Sequence, residues 1–131
     1  MNDTQLGLWV SRDVLLALHD ESLAEHGGCS GIRDEGLLES ALTRPLNVVA
    51  DGKPDAAELA AAYGYELSKN HAFVNGNKRA AFLALGLFLY MNGCRLTASQ
   101  ADATRTVLAV AASEIDEAQL AQWIRSNIQQ V

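Results

Sequence analysis

Residues 70–91 read N-H-A-F-V-N-G-N-K-R-A-A-F-L-A-L-G-L-F-L-Y-M. The first ten positions gather a histidine, three asparagines, a glycine, a lysine and an arginine around one phenylalanine. The last twelve form the most apolar run of the chain. Ala80 to Tyr90 is apolar on every side, which predicts a helix surrounded by other helices. The spacing predicts that this helix starts at Asn77 as N-cap and stops at Asn92-Gly93. A dense polar cluster is thereby fixed against the segment expected to form the centre of the core.

The rest of the chain is consistent with one all-α domain over residues 1–131. That length buries a sizeable core without metal or disulfide, and 49% apolar with 20% charged residues is ordinary for a globular protein. The longest apolar run is too short to span a bilayer. No N-terminal stretch has the basic start, apolar middle and cleavage site of a signal peptide, so a cytoplasmic protein is expected. Cys29 and Cys94 lie in neither CxxC nor zinc-ligand spacing and are expected as reduced thiols. A net charge of −6 argues against broad nucleic-acid binding, which depends on phosphate neutralisation by basic side chains. Its distribution is uneven: from Leu67 to Ala101 there is no aspartate or glutamate, while Lys69, Lys78, Arg79 and Arg95 fall inside.

Five to seven helices with short connections are expected. Leu6 to Val10 reads as a short strand or an extended arm. Ser11 caps a helix carrying Val14, Leu15, Leu18 and Leu23, stopped by Gly27-Gly28. Asp34 caps a second helix, expected to end near Thr43-Arg44-Pro45, with Leu46 to Val49 as a turn or short helix. Pro54 fits just inside a third, Ala56 to Leu67, whose end Asn70 can cap. Ser99 and Asp116 open the last two. Trp9 and Trp123 are packing or interface residues, and Arg33-Asp34-Glu35 reads as a cap with a solvated turn. His19 and His26 lie two helical turns apart, about 10 Å along the axis, which is too far to chelate one ion.

Residues 71–79 hold the chemistry. A helix start presents unpaired N–H groups and the positive end of the macrodipole. Gly76 lets the backbone bend or a ligand approach, Lys78 adds a point charge and Arg79 a planar fork for phosphate oxygens. Together they make an anion cradle for a di- or triphosphate. His71, across a loop pinned by Phe73, is placed to act as general base, and Asn75 offers an oxygen to a metal or a phosphate-bound water. A structural histidine, a plain Asn-Gly-Asn turn and a solvated Lys-Arg pair are the alternatives. Against the last, cations at a helix N-terminus oppose the dipole unless an anion sits there.

H-A-F-V-N-G-N-K-R resembles the signature of the Fic/Doc superfamily, His-x-Phe-x-acidic-small-Asn-Lys/Gly-Arg, in the lysine form of the Doc (death-on-curing) branch. The resemblance extends from about Leu16, through L-H-D-E-S-L-A-E-H-G-G-C-S-G-I-R-D-E-G-L-L-E-S-A-L-T-R-P, to the C-terminal helices. It implies a compact helical bundle around a central buried helix, acting as the toxin of a toxin–antitoxin pair. Such a toxin transfers the γ-phosphate of ATP, with Mg²⁺, to a threonine of elongation factor Tu and halts translation. Related Fic proteins transfer AMP instead, and a catalytically weak Doc-like binding protein is a further alternative. Matched to the motif, His71 is the general base, Phe73 the core anchor, Gly76 and Asn77 shape the anion hole, and Lys78 and Arg79 hold phosphates. Asn75 stands where the motif usually has an acidic residue tied to Mg²⁺. A neutral amide binds a hard dication less tightly, leaving contact through a water or through the nucleotide phosphates. With no Ser/Thr-x-x-x-Glu-Gly/Asn inhibitory motif in the chain, restraint falls to a Phd-like antitoxin laying a helix into an apolar groove. Neither membrane nor direct nucleic-acid partners are implied.

Overall fold

The computed structural model describes residues 8–131. Six helices run in order: α1 (Arg12–His26), α2 (Glu35–Asp51), α3 (Ala56–Asn70), α4 (Asn77–Met91), α5 (Gln100–Ala111) and α6 (Glu117–Arg125). Two short strands, β1 (Cys94–Leu96) and β2 (Ile128–Gln130), pair antiparallel with Cys94 opposite Gln130 and Leu96 opposite Ile128. The domain is a helical bundle, as expected, and the ribbon ties the end of α4 to the C-terminus. Among the described residues no helix is long and apolar enough to cross a membrane.

The helix starts follow their capping residues. Ser11, Asp34, Asp55, Ser99 and Asp116 each accept a hydrogen bond from the N–H three residues on. Asp55 forms a reciprocal capping box with Glu58, which places Pro54 just outside α3 rather than in its first turn. Helix α2 does not stop at Pro45 but continues through it to Asp51, taking in Leu46 to Val49. The lost N–H bond is offset because the Pro45 ring is buried in the core. Leu6 and Gly7 lie outside the described residues. Leu8 to Val10 forms no strand, yet the segment is held: the Tyr63 hydroxyl accepts from the Val10 N–H at 3.0 Å, Asn92 Nδ2 donates to the Leu8 carbonyl at 2.9 Å, and Trp9 stacks on Phe88.

The helix at the centre is α3, not the more apolar α4. Helix α3 packs against α2, α4, α5 and α6, and nine of its fifteen residues are buried. Helix α4 covers α3 and α1 but leaves Tyr90 exposed and Phe82, Leu83 and Leu87 half-buried. Size explains the exchange. Helix α3 presents Ala57, Ala60, Ala61 and Gly64, and small side chains let neighbouring backbones come close. A Cβ at Gly64 would meet Leu85 Cδ2 at 2.8 Å, so α4 seats directly on that glycine.

Ion pairs at both ends bind α6 to the bundle. Arg44 of α2 reaches both Glu117 oxygens at 3.1 and 3.0 Å. Arg125 clamps the Asp55 carboxylate with Nε at 2.7 Å and Nη2 at 3.2 Å, fixing the cap of the central helix. Partial burial pushes the Asp55 pKa up, but the Arg125 hydrogen bonds and the Glu58 N–H outweigh it and hold the carboxyl below its ordinary value. A carboxyl depressed in the folded state contributes stability above its unfolded pKa and loses it as pH falls through the folded value. Asp55→Asn keeps an N-capping side chain and removes the charge. It is expected to lower stability by about 0.5–1 kcal/mol near pH 7, with the deficit against wild type closing below about pH 3 in paired thermal melts.

Candidate active site

Helix α3 ends at Asn70, and His71 follows in the left-handed conformation (φ 55°, ψ 47°). For a residue other than glycine this costs about 1–2 kcal/mol, so its surroundings must hold it. Arg33 does so. Its Nε donates to the His71 carbonyl at 2.6 Å and its Nη2 to the Asn70 carbonyl at 3.3 Å, a cation at the negative end of a helix dipole. The backbone N–H groups of Arg33 and Asp34 both donate to the Ala72 carbonyl, at 2.7 and 3.1 Å. Arg33 therefore belongs to the site rather than to a solvated turn. The αL residue that ends α3 is His71, not Asn70. Asn70 instead spans the turn, donating from Nδ2 to the Leu37 carbonyl and accepting the Ala72 N–H at Oδ1.

The loop then dips into the core and returns. Phe73 is fully buried, bridges Ile32 and tilts against the His19 ring at 4.3 Å. His19 follows Leu15 and precedes Leu23 on the buried stripe of α1. It sits 2.9 Å from the Asn75 carbonyl; a carbonyl only accepts, so Nε2 carries the proton. The Asn75 side chain accepts the Cys29 N–H at Oδ1, 2.7 Å away. Cys29 and Cys94 are free thiols.

Helix α4 begins differently from the other five. Its N-cap is Gly76 in the left-handed region (φ 74°, ψ 29°), with no side-chain cap and no acid in the first turn. Asn77 is not the cap. Its side chain closes the loop below, accepting the Phe73 N–H at 2.9 Å and donating to the Phe73 carbonyl at 3.1 Å. Only glycine fits at 76, since a Cβ there would meet His19 Cε1 at 2.7 Å. The first intrahelical bond runs from the Ala80 N–H to the Gly76 carbonyl, which leaves the amides of residues 77–79 to face outward.

These features line one cleft of about 490 Å³, bounded by Ser68, His71, Val74, Asn75, Gly76, Asn77, Lys78, Arg79 and Ala111. The expected base, hole-forming residues and cations are thus brought together, with Phe73 beneath them. No carboxylate lines the cleft. Among the described residues Lys78 and Arg79 pair with no acid, as do Arg33, Lys53, Lys69 and Arg95, while Arg12, Arg44, Arg105 and Arg125 are paired. Two unpaired cations at a helix N-terminus in an acidic protein fit an anion. Ser68, one turn before His71, is 3% exposed and its hydroxyl has no partner among the described residues. A buried hydroxyl without a partner costs about 1–3 kcal/mol, which a ligand reaching the cleft floor would relieve.

Three residues of this site escaped the reading of the sequence. Ser68 was detectable only as a polar residue three positions before His71, in the last turn of α3. His19 occupies a position of the Leu15–Leu23 stripe and was weighed only as a partner for His26. Arg33 had no local signal, because its target lies 38 residues away. Gly76→Ala is expected to lower stability by about 2 kcal/mol, through strain at positive φ and collision with the buried His19 ring, and to weaken anion binding. Chemical denaturation with a phosphate-displacement titration checks both.

The Fic/DOC family model matches residues 9–89, a span holding α1 to α3, the whole loop and α4 as far as Leu89. The chain is 45% identical over 74 residues to toxin Doc of Mycolicibacterium smegmatis, an alignment covering 55% of this chain and 57% of that protein. It is 33% identical over 117 residues to protein kinase doc of Escherichia phage P1, covering 88% of this chain and 92% of that protein. On the family match and on the near full-length likeness to the phage protein, this chain belongs to the Fic/DOC family.

Proposed function

We propose that the protein is a Doc-type toxin that binds ATP in the α3–α4 cleft and transfers its γ-phosphate to a protein hydroxyl. The observation that carries this reading is the convergence of exposed His71 with unpaired Lys78 and Arg79 at an uncapped helix N-terminus, in a cleft free of carboxylates. The relatives' names, a toxin and a protein kinase, support it. So does the lysine at position 78, the Doc form of the motif.

His71 accepts the proton of the attacking hydroxyl. The hydroxyl oxygen bonds to the γ-phosphorus as the bond from that phosphorus to the β–γ bridging oxygen breaks, and ADP leaves. The transition state spreads negative charge over the γ-phosphoryl oxygens and the leaving oxygen. Lys78, Arg79 and the amides of residues 77–79 are preorganised for that charge, so their stabilisation needs no rearrangement during the step. Arg33 acts through His71, holding its backbone in the left-handed turn that presents the imidazole to the cleft.

On the family resemblance, the acceptor is a threonine of elongation factor Tu, the outcome is arrest of translation in the cytoplasm, and a Phd-like antitoxin is the restraining partner. An apolar groove of about 200 Å³ runs from Lys78 and Arg79 over Phe82, Val107 and Leu108 between α4 and α5. It suits an amphipathic antitoxin helix with an acidic end at the two cations. Mg²⁺ enters on this reading as the counterion of the ATP phosphates, since the cleft residues do not fit a metal held by the protein.

Incubation with γ-labelled ATP and a bacterial lysate is expected to label a translation factor, and His71→Ala to reduce the rate by about 10²–10⁴-fold. Label arriving only from the α-phosphate would mean AMP transfer, and label from neither position would sink the reading.

A further inference from the structure

Asn75 has two oxygens, and each already accepts a hydrogen bond from another part of the fold. Its carbonyl accepts from His19 Nε2 at 2.9 Å and its Oδ1 accepts from the Cys29 N–H at 2.7 Å. The Cys29 contact also settles the orientation of the side-chain amide, because an N–H requires an oxygen opposite it. What Asn75 has left for the cleft is the Nδ2 amide, a donor. A hard dication needs oxygen ligands, and here the side chain presents hydrogens.

The rest of the cleft agrees. None of its nine lining residues is Asp or Glu. Among the described residues no group of three His, Cys, Asp or Glu side chains is placed to hold a metal. The polar groups that remain are the His71 imidazole, Lys78, Arg79, the outward amides of residues 77–79, Asn75 Nδ2 and the buried, unpartnered Ser68 hydroxyl. Nearly all of these are cationic or donating, and Ser68 can rotate its hydrogen toward an acceptor.

We infer that the cleft binds the polyphosphate of its nucleotide without a divalent ion held by the protein, with Asn75 serving as a phosphate donor through Nδ2 rather than as a metal ligand. The inference rests on the reading of the cleft as a nucleotide site and specifies the ionic form recognised there. Free ATP carries more negative charge than its Mg²⁺ complex, and a site made of cations and donors favours the more negative ligand. Asn75→Asp keeps an oxygen for the Cys29 N–H and changes only the group facing the cleft. The donor becomes a carboxylate oxygen, which repels phosphate and attracts a dication.

The test is calorimetric titration of the full chain with ATP, and separately with inorganic triphosphate, in EDTA and in excess Mg²⁺. Wild type is expected to bind in EDTA as tightly as in Mg²⁺, within about threefold, or more tightly. Asn75→Asp, with an unchanged melting temperature as the check on folding, is expected to bind about tenfold or more weakly in EDTA and to recover when Mg²⁺ is added. Wild-type binding that collapses about tenfold or more in EDTA overturns the inference and leaves the transferase reading standing. So does an Asn75→Asp variant as insensitive to Mg²⁺ as wild type. Binding in EDTA without any transfer of label sinks the transferase reading alone, and ATP failing to bind under either condition sinks both.

Discussion

The segment of residues 71–76 must reverse the chain between two packed helices while leaving the start of the second one open to solvent. Its own side chains do only part of this, and none of them caps α4. Most of the restraints come from elsewhere. Arg33 holds the His71 carbonyl, the Arg33 and Asp34 amides hold that of Ala72, and His19 holds that of Asn75. The Phe73 ring fills the space between. A reversal that would fray by itself becomes a rigid seat, and the left-handed backbone at His71 and Gly76 is sustained by bonds made across the fold.

The packing below gives this seat its precision. Helices α3 and α4 approach closely at Gly64 and the surrounding alanines, so the C-terminus of one and the N-terminus of the other are fixed by the same contact surface. Groups on rigid elements hold their positions more closely than groups on loops, and a transfer reaction tolerates little misplacement. The neighbouring helices all carry an acid in their first turn, while α4 alone carries two cations there. Left without an anion, that arrangement works against the dipole and costs local stability.

Features carried by a few adjacent residues were legible in the sequence. Ser11, Asp34, Ser99 and Asp116 cap as their residue types require, and the cluster from His71 to Arg79 does assemble around one cleft. Apolar character misled about the centre: α4 is greasier, but the smaller residues of α3 admit more neighbours. Asn77 was misassigned because an asparagine before a helix has several uses, and here it closes the loop behind it. Pro45 reads as a stop locally and is overruled by burial. The β ribbon pairs three residues with three others more than thirty positions away, too short on each side to show a period. His19, Arg33 and Cys29 act on the site only through the tertiary fold, which local spacing does not encode.

The clamp of Arg125 on Asp55 joins the last helix to the start of the central one. It has a consequence for the order of synthesis. A chain emerging N-terminus first exposes the motif loop while α6 and β2 are still inside the ribosome, so α3 lacks both the partner of its cap and the helix that packs on it. The seat of the cleft is then incomplete. The helices that flank the cleft gain their full set of packing partners only once α6 has emerged and docked, so the cleft is a late product of synthesis.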